Sequence, residues 1–267
     1  MSRIREAFAM AQETDRAAFI AYVTAGDPTP QRTPEVVDGL LDAGIDILEL
    51  GVPFSDPIAD GPTNQLAAER ALAAGTTLET VLEIATDIRS RSQVPIVLFT
   101  YANPVVRMGI DRFAGRARQA GVDGVLFTDV PLEEYDRFSP ALRSAQLDPV
   151  MLVTPTSDRA RIKAGARASG GFLYLVSRTG VTGARRALDR GLADLVKTVR
   201  RAARLPVAVG FGISTPDQVA KVASLADGVV VGSAIVNQVA AHGDADGLGV
   251  AVQTFTRPLV EATRRDS

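Results

Sequence analysis

Glu49 sits inside the apolar run Ile47-Leu48-Glu49-Leu50, at the end of a segment that reads as a β-strand. A carboxylate in such surroundings is either satisfied by backbone N–H donors or kept for chemistry. Burial raises its pKa, which suits a group that must both give and take a proton near neutral pH, and we read Glu49 as functional. Two more acids, Asp56 and Asp60, follow in the Gly/Pro-rich stretch Gly51–Pro62, where each taken alone reads as a turn or cap residue. Asp27 and Asp129 carry the same ambiguity. Another chemistry belongs to Gly210-Phe211-Gly212 and Gly232-Ser233-Ala-Ile-Val. Glycines let backbone N–H groups approach an anion, and a helix start adds a favourable dipole, so phosphate is expected there; the plainer alternative is two tight turns.

Other chemistries are removed by composition. There is no cysteine, hence no disulfide, thiolate metal site or cysteine nucleophile. The single histidine, His242 in Ala-Ala-His-Gly-Asp, reads as a surface-loop residue and leaves no pair for a His-ligated metal. Lys163, Lys197 and Lys221 all fall in helical stretches, so neither a Schiff-base aldolase nor covalently held pyridoxal phosphate is expected. Acid–base work is left to carboxylates and tyrosines. Lys plus Arg number 29 against 31 Asp plus Glu, a net charge of −2 that disfavours nucleic acid as a partner. No apolar run approaches the roughly 20 residues of a membrane span, and the start reads as an amphipathic helix rather than a signal peptide. The expectation is a soluble, cytoplasmic protein.

The elements that must position these residues alternate. Strands are expected at Ala18–Val23, Ile45–Leu50, Pro95–Thr100, Asp123–Thr128, Pro149–Val153, Phe172–Val176, Pro206–Gly210 and Asp227–Gly232. Between them lie helical stripes such as Leu78, Val81, Leu82, Ala85 and Ile88. Thr76 with Glu79 resembles a capping box, Thr215-Pro216 a helix start, and Gly44 and Gly121 stand where left-handed C-caps fall. Eight strands alternating with helices predict one (β/α)8 TIM barrel over residues 1–267, with an extra N-terminal helix. An open doubly wound sheet is the alternative, weakened because no G-x-G-x-x-G follows the first strand. In a barrel, the active site lies at the C-terminal strand ends, where Glu49, the Gly51–Pro62 loop, Tyr101, Asp129, Tyr174 and the glycine pairs all stand.

In order and spacing, Tyr22–Pro28 (YVTAGDP), Glu49–Pro62 (ELGVPFSDPIADGP), Asp129–Glu134 (DVPLEE), Tyr174–Gly183 (YLVSRTGVTG), Gly210–Ser214 (GFGIS) and Asp227–Val236 (DGVVVGSAIV) resemble the tryptophan synthase alpha subunit family. The resemblance implies a retro-aldol lyase that cleaves indole-3-glycerol phosphate without a cofactor of its own. It passes indole to a beta subunit that holds pyridoxal phosphate, in an alpha2-beta2 heterotetramer. It places the catalytic glutamate on Glu49 and the catalytic aspartate on Asp60. Tyr22, Asn64, Phe99, Tyr174, Thr182 and Phe211 fall on substrate-binding positions, and Gly183, Gly212, Gly232 and Ser233 on the phosphate site. Asp56 and Pro57 fall in the loop that faces the partner, and no metal is implied. Asn64 departs from the family pattern, which is usually aliphatic there and faces the indole. Because asparagine is at home in turns, its amide is expected to bond the neighbouring loop backbone; the alternative is a more polar pocket that binds indole less tightly or accepts a ring with a hydrogen-bonding substituent.

Overall fold

The computed structural model describes residues 2–176, 185–210, 212–243 and 245–265. Eight parallel strands close a barrel in chain order: β1 (Ala18–Thr24), β2 (Ile47–Gly51), β3 (Ile96–Thr100), β4 (Gly124–Phe127), β5 (Asp148–Val153), β6 (Leu173–Val176), β7 (Val207–Gly210) and β8 (Gly228–Val231), with β8 pairing back onto β1. Around them run α1 (Arg3–Glu13), α2 (Thr33–Ala43), α3 (Pro62–Ala73), α4 (Leu78–Arg91), α5 (Ala102–Met108), α6 (Ile110–Gln119), α7 (Ser139–Ser144), α8 (Arg159–Ala168), α9 (Arg185–Ala202), α10 (Pro216–Ala223), α11 (Ser233–His242) and α12 (Leu248–Glu261). The (β/α)8 expectation holds, and the open sheet is excluded by the β1–β8 pairing.

Both faces of every strand are covered, which is why the strands read as unbroken apolar runs rather than alternating ones. Phe19, Ala21 and Val23 of β1, with Leu48 and Leu50 of β2, face outward into the layer shared with the helices. Ala18, Ile20, Ile47, Val97, Leu126, Val150, Ala208 and Val230 face inward and fill the barrel. Because the side-chain period of a strand is two, Glu49 shares the inward face with Ile47.

The extra helix α1 is a plug. Ile4, Ala7, Phe8 and Ala11 join the inward cluster, and the Phe8 and Phe172 rings lie 5.5 Å apart. A Cβ on Gly228 would come within 2.9 Å of Phe8, so the glycine at the start of β8 makes room for it. With α1 over the N-terminal end of the barrel, the C-terminal strand ends form the opposite mouth.

Gly44 and Gly121 adopt φ of 91° and 81°, and Thr215 caps α10 with Gln218 completing the box. The cap of α4 is shifted by one residue: Thr77, not Thr76, forms the box, with Thr80 as its partner. Thr76 is buried against Gly26, where any Cβ would overlap its hydroxyl, so its side chain is committed to the β1–α2 loop.

Candidate active site

Pairing sets Tyr22 of β1 beside Glu49 of β2, and Glu49 beside Val97 of β3. Glu49 is 0% exposed, and neither carboxylate oxygen has a hydrogen-bond partner among the described residues. Among the described residues, no backbone N–H satisfies this carboxylate. Burial alone pushes the Glu49 pKa from 4.5 to about 8. Two phenols share this interior. Burial raises the pKa of Tyr174 well above its usual value, with the charge of Glu49 adding to it. Tyr22 is raised as well, first by burial and then by Asp60 and Glu49, against a hydroxyl contact of 3.2 Å with Thr24. Both tyrosines stay neutral near pH 7.

Room for the phenols comes from two inward-facing glycines at the strand ends. A Cβ on Gly51 would lie 2.5 Å from the Tyr22 oxygen, and one on Gly210 would overlap the Tyr174 oxygen. Gly210 thus serves the tyrosine as much as any anion.

Asp60 combines both readings of its loop. Its N–H closes a turn on Pro57 O at 3.0 Å, while its Oδ2 accepts a hydrogen bond from Tyr101 at 3.1 Å. The same phenol oxygen accepts from Ala59 N at 3.1 Å, and the Tyr101 ring sits 5.0 Å from that of Phe54. Burial raises the Asp60 pKa and the Tyr101 bond lowers it. Burial, then the Asp60 charge, pushes Tyr101 up to about 12. Tyr101 has no role in the sequence reading; its one signal is a tyrosine at the end of β3.

The other acids resolve into structural parts. Asp27 takes a forked ion pair from Arg70 at 2.7 and 2.8 Å, tying the β1–α2 loop to α3. Asp129 accepts from Ala102 N at 2.8 Å at the start of α5. Asp56 is exposed and takes the Ser55 hydroxyl at 2.6 Å, beside half-buried Pro57. His242 closes α11 rather than standing in a loop, its Nδ1 3.0 Å from Gln238 O.

Beside Glu49, Tyr22 and Phe99 meet edge to face at 5.1 Å and pack with Ala67 of α3 and Val236 of α11. This apolar wall could take a flat ring. Asn64, one turn before Ala67, is not bonded to the loop backbone through its amide oxygen: that atom is buried with no partner among the described residues.

The glycine pairs lie where an anion could be met. Gly232 is the N-cap of α11, Ser233 its first residue, and Gly212 has φ of 71°. The first-turn N–H groups of a helix lack intrahelical acceptors and carry the positive end of its dipole. Gly232 also abuts Tyr22, a Cβ there lying 3.3 Å from the tyrosine Cβ, so this anion cradle adjoins the ring wall. Thr182, Gly183 and Phe211 lie outside the described residues.

Known proteins resemble this chain over nearly its whole length. The sequence model described as tryptophan synthase alpha chain matches residues 8–263. The tryptophan synthase alpha chain of Solibacter usitatus is 52% identical over 259 residues, covering 97% of each chain. That of Geobacter sulfurreducens is 52% identical over 262 residues, 98% of this chain and 99% of its own. Among solved structures, the alpha subunit from Legionella pneumophila superposes with a TM-score of 0.91 at 34% identity, covering 98% of each chain. A tryptophan synthase chain from Mycobacterium tuberculosis gives 0.89 at 36%, covering 99% of each. On a match of this closeness over nearly the whole chain, with the same barrel, the chain belongs to the tryptophan synthase alpha chain family.

Proposed function

We propose that this chain cleaves indole-3-glycerol phosphate to indole and glyceraldehyde 3-phosphate with Glu49 as both acid and base. The observation that carries this role is a fully buried carboxyl with no partner among the described residues, its pKa pushed up to about 8 by burial. At neutral pH it holds a proton and can deliver it to C3 of the indole ring, which turns the ring into an electron sink. The resulting carboxylate then removes the proton from the glycerol hydroxyl next to the ring. The carbon–carbon bond breaks, its electrons return to the ring, and the carbonyl of the aldehyde forms. Proton given and proton taken balance, so Glu49 ends as it began.

Protonation at C3 places positive charge on the ring nitrogen. Asp60, positioned by the Tyr101 hydrogen bond, accepts the ring N–H and stabilises that charge. Tyr22 and Phe99 flank the ring, with Tyr174 beside Glu49. Gly212, Gly232 and Ser233 hold the phosphate through backbone N–H groups, and Thr182, Gly183 and Phe211 complete the substrate site as the family pattern implies. The reaction so written draws on no cofactor or metal held by this chain.

The partner in this reading is a beta subunit carrying pyridoxal phosphate, in an alpha2-beta2 assembly in the cytoplasm. Its support is the family together with apolar side chains exposed at the mouth: Ile58 (86% exposed) in the β2–α3 loop that also holds Asp56 and Pro57, Leu66 of α3 and Val106 of α5. Among the described residues, no helix is long and apolar enough to cross a membrane. The test is direct: purified chain, with and without a beta subunit, assayed for indole from indole-3-glycerol phosphate. No indole under either condition overturns the reading.

A further inference from the structure

A concavity lies at the opposite end of the barrel from the mouth, where α1 meets the α8–β6 and α9–β7 connections. It has a volume of about 970 Å³ and is lined by Arg5, Lys163, Arg167 and Arg204, with Phe8, Leu205 and Pro206 as its apolar part. Among the described residues, no aspartate or glutamate lines it. Lys163 and Arg167 stand one turn apart on α8, and Arg204 comes from the turn between α9 and β7. None of these three takes a hydrogen bond or ion pair among the described residues. Cations beside them are committed: Arg161 on the same helix forks onto Glu133, Arg200 pairs with Asp227, and Arg16 with Asp46. Arg5 gives its donors to Gly170 O at 3.0 and 2.8 Å, which fixes its charge at the edge without neutralising it.

From this we infer that the groove binds a di- or triphosphate chain, free or carried by a nucleoside. Water and salt relieve like charges on a convex surface, but the low-dielectric walls of a concavity focus their field and favour an entering anion. Guanidinium forks and an ammonium both suit phosphate oxygens. Because the free cations stand on two walls, a ligand needs more than one anionic group to meet them. The volume is that of a small-molecule site, and the charge is confined to one concavity of a chain whose net charge is −2, which fits a long nucleic acid poorly. This site is separate from the substrate-phosphate cradle at Gly212, Gly232 and Ser233, so neither reading depends on the other.

The test is calorimetric titration of the full chain at roughly 0.15 M salt, without divalent cations and with excess glycerol 3-phosphate to occupy the mouth. The probes are inorganic triphosphate, ATP, orthophosphate and adenosine. Triphosphate should bind once per chain and more tightly than orthophosphate, and adenosine should not bind. ATP binding more tightly than triphosphate assigns the apolar part to a nucleoside; equal affinities assign the groove to the phosphate chain alone. Arg204→Ala and the double variant Lys163→Ala/Arg167→Ala should each weaken triphosphate binding by about tenfold or more. These side chains are exposed, so the melting temperatures of the variants should match the wild type. Arg201→Ala, which removes a neighbouring exposed cation outside the groove, should leave binding unchanged. The inference is overturned if the wild-type chain binds no triphosphate, if binding survives the groove variants, or if Arg201→Ala weakens it as much as Arg204→Ala.

Discussion

Tyr101 donates its phenolic hydrogen to Asp60 Oδ2 at 3.1 Å and, through the same oxygen, accepts the Ala59 N–H at 3.1 Å. One side chain at the end of β3 thus fixes both the carboxylate and the backbone next to it in the β2–α3 loop. A loop acid is poor at stabilising developing charge unless its position is settled before the reaction, since reorganisation during the step would cost what the charge gains.

Tyr101→Phe should therefore lower kcat more than it raises KM. The ring contact with Phe54 survives, so the fold should be little changed. Loss of the bond that lowers the Asp60 pKa should move the Asp60 limb of the pH–rate profile upward. The drop expected is about 10- to 100-fold, at or below the roughly 10²- to 10³-fold cost of deleting a charge-stabilising donor itself. An unchanged profile with an unchanged kcat would show that Asp60 needs no such anchor.

Glu49→Gln should abolish turnover, by about 10²- to 10⁴-fold or more, while substrate-analogue binding persists. In the wild type, kcat/KM should fall as pH rises through about 8, where the free enzyme loses the proton that must reach C3. Activity of a folded Glu49→Gln chain within a few-fold of wild type contradicts the assignment.

The same carboxyl gives a stability signature. Its folded pKa of about 8 exceeds the ordinary 4.5, so between those values the folded chain holds a proton that the unfolded chain has released. Stability then falls as pH rises across this window and levels off above it. Glu49→Gln lacks the linked proton, so its melting temperature should gain on the wild type from about pH 4.5 to about pH 8. Parallel melting curves for the two chains across the window would place the Glu49 pKa in its ordinary range.

Glycerol 3-phosphate should raise the melting temperature whereas glycerol should not, since the backbone donors at Gly212, Gly232 and Ser233 meet only the anion. At 100 times its Kd a ligand adds about 2.7 kcal/mol of stability. Gly212→Val should abolish the difference, because φ of 71° is strained for a β-branched residue and its bulk blocks the approach. Equal protection by both compounds would remove the phosphate site from these loops.

Gly51→Ala should cost about 1–3 kcal/mol, the usual range for overpacking, because its new Cβ would lie 2.5 Å from the Tyr22 oxygen. Combined with Tyr22→Ala, most of that cost should vanish, and urea unfolding of the four chains in the cycle measures the coupling. Additive losses would mean that the glycine serves something other than the phenol.

Much of this protein is settled by local chemistry and therefore legible in its sequence. Strand runs buried on both faces are continuous and apolar, helices carry their own stripes and caps, and eight alternations require a closed parallel sheet. Glu49 is conspicuous because a charge inside such a run is expensive, and Asp60 and the glycine ends are placed by motif spacing. Asp60 could equally have been a turn residue, and proved to be one that also presents its carboxylate to Tyr101. What tertiary structure decided are relations across the chain. The stranding of both Glu49 oxygens depends on which neighbours fill the barrel beside it. Thr77 rather than Thr76 caps α4, while Thr76 is buried where Gly26, fifty residues away, leaves room for its side chain. The partnership of Tyr101 with Asp60 joins positions 41 residues apart, and Asn64 Oδ1 is buried with no partner among the described residues. Spacing along the chain carries local preference, but burial and hydrogen-bond satisfaction are set by groups that only folding brings within reach.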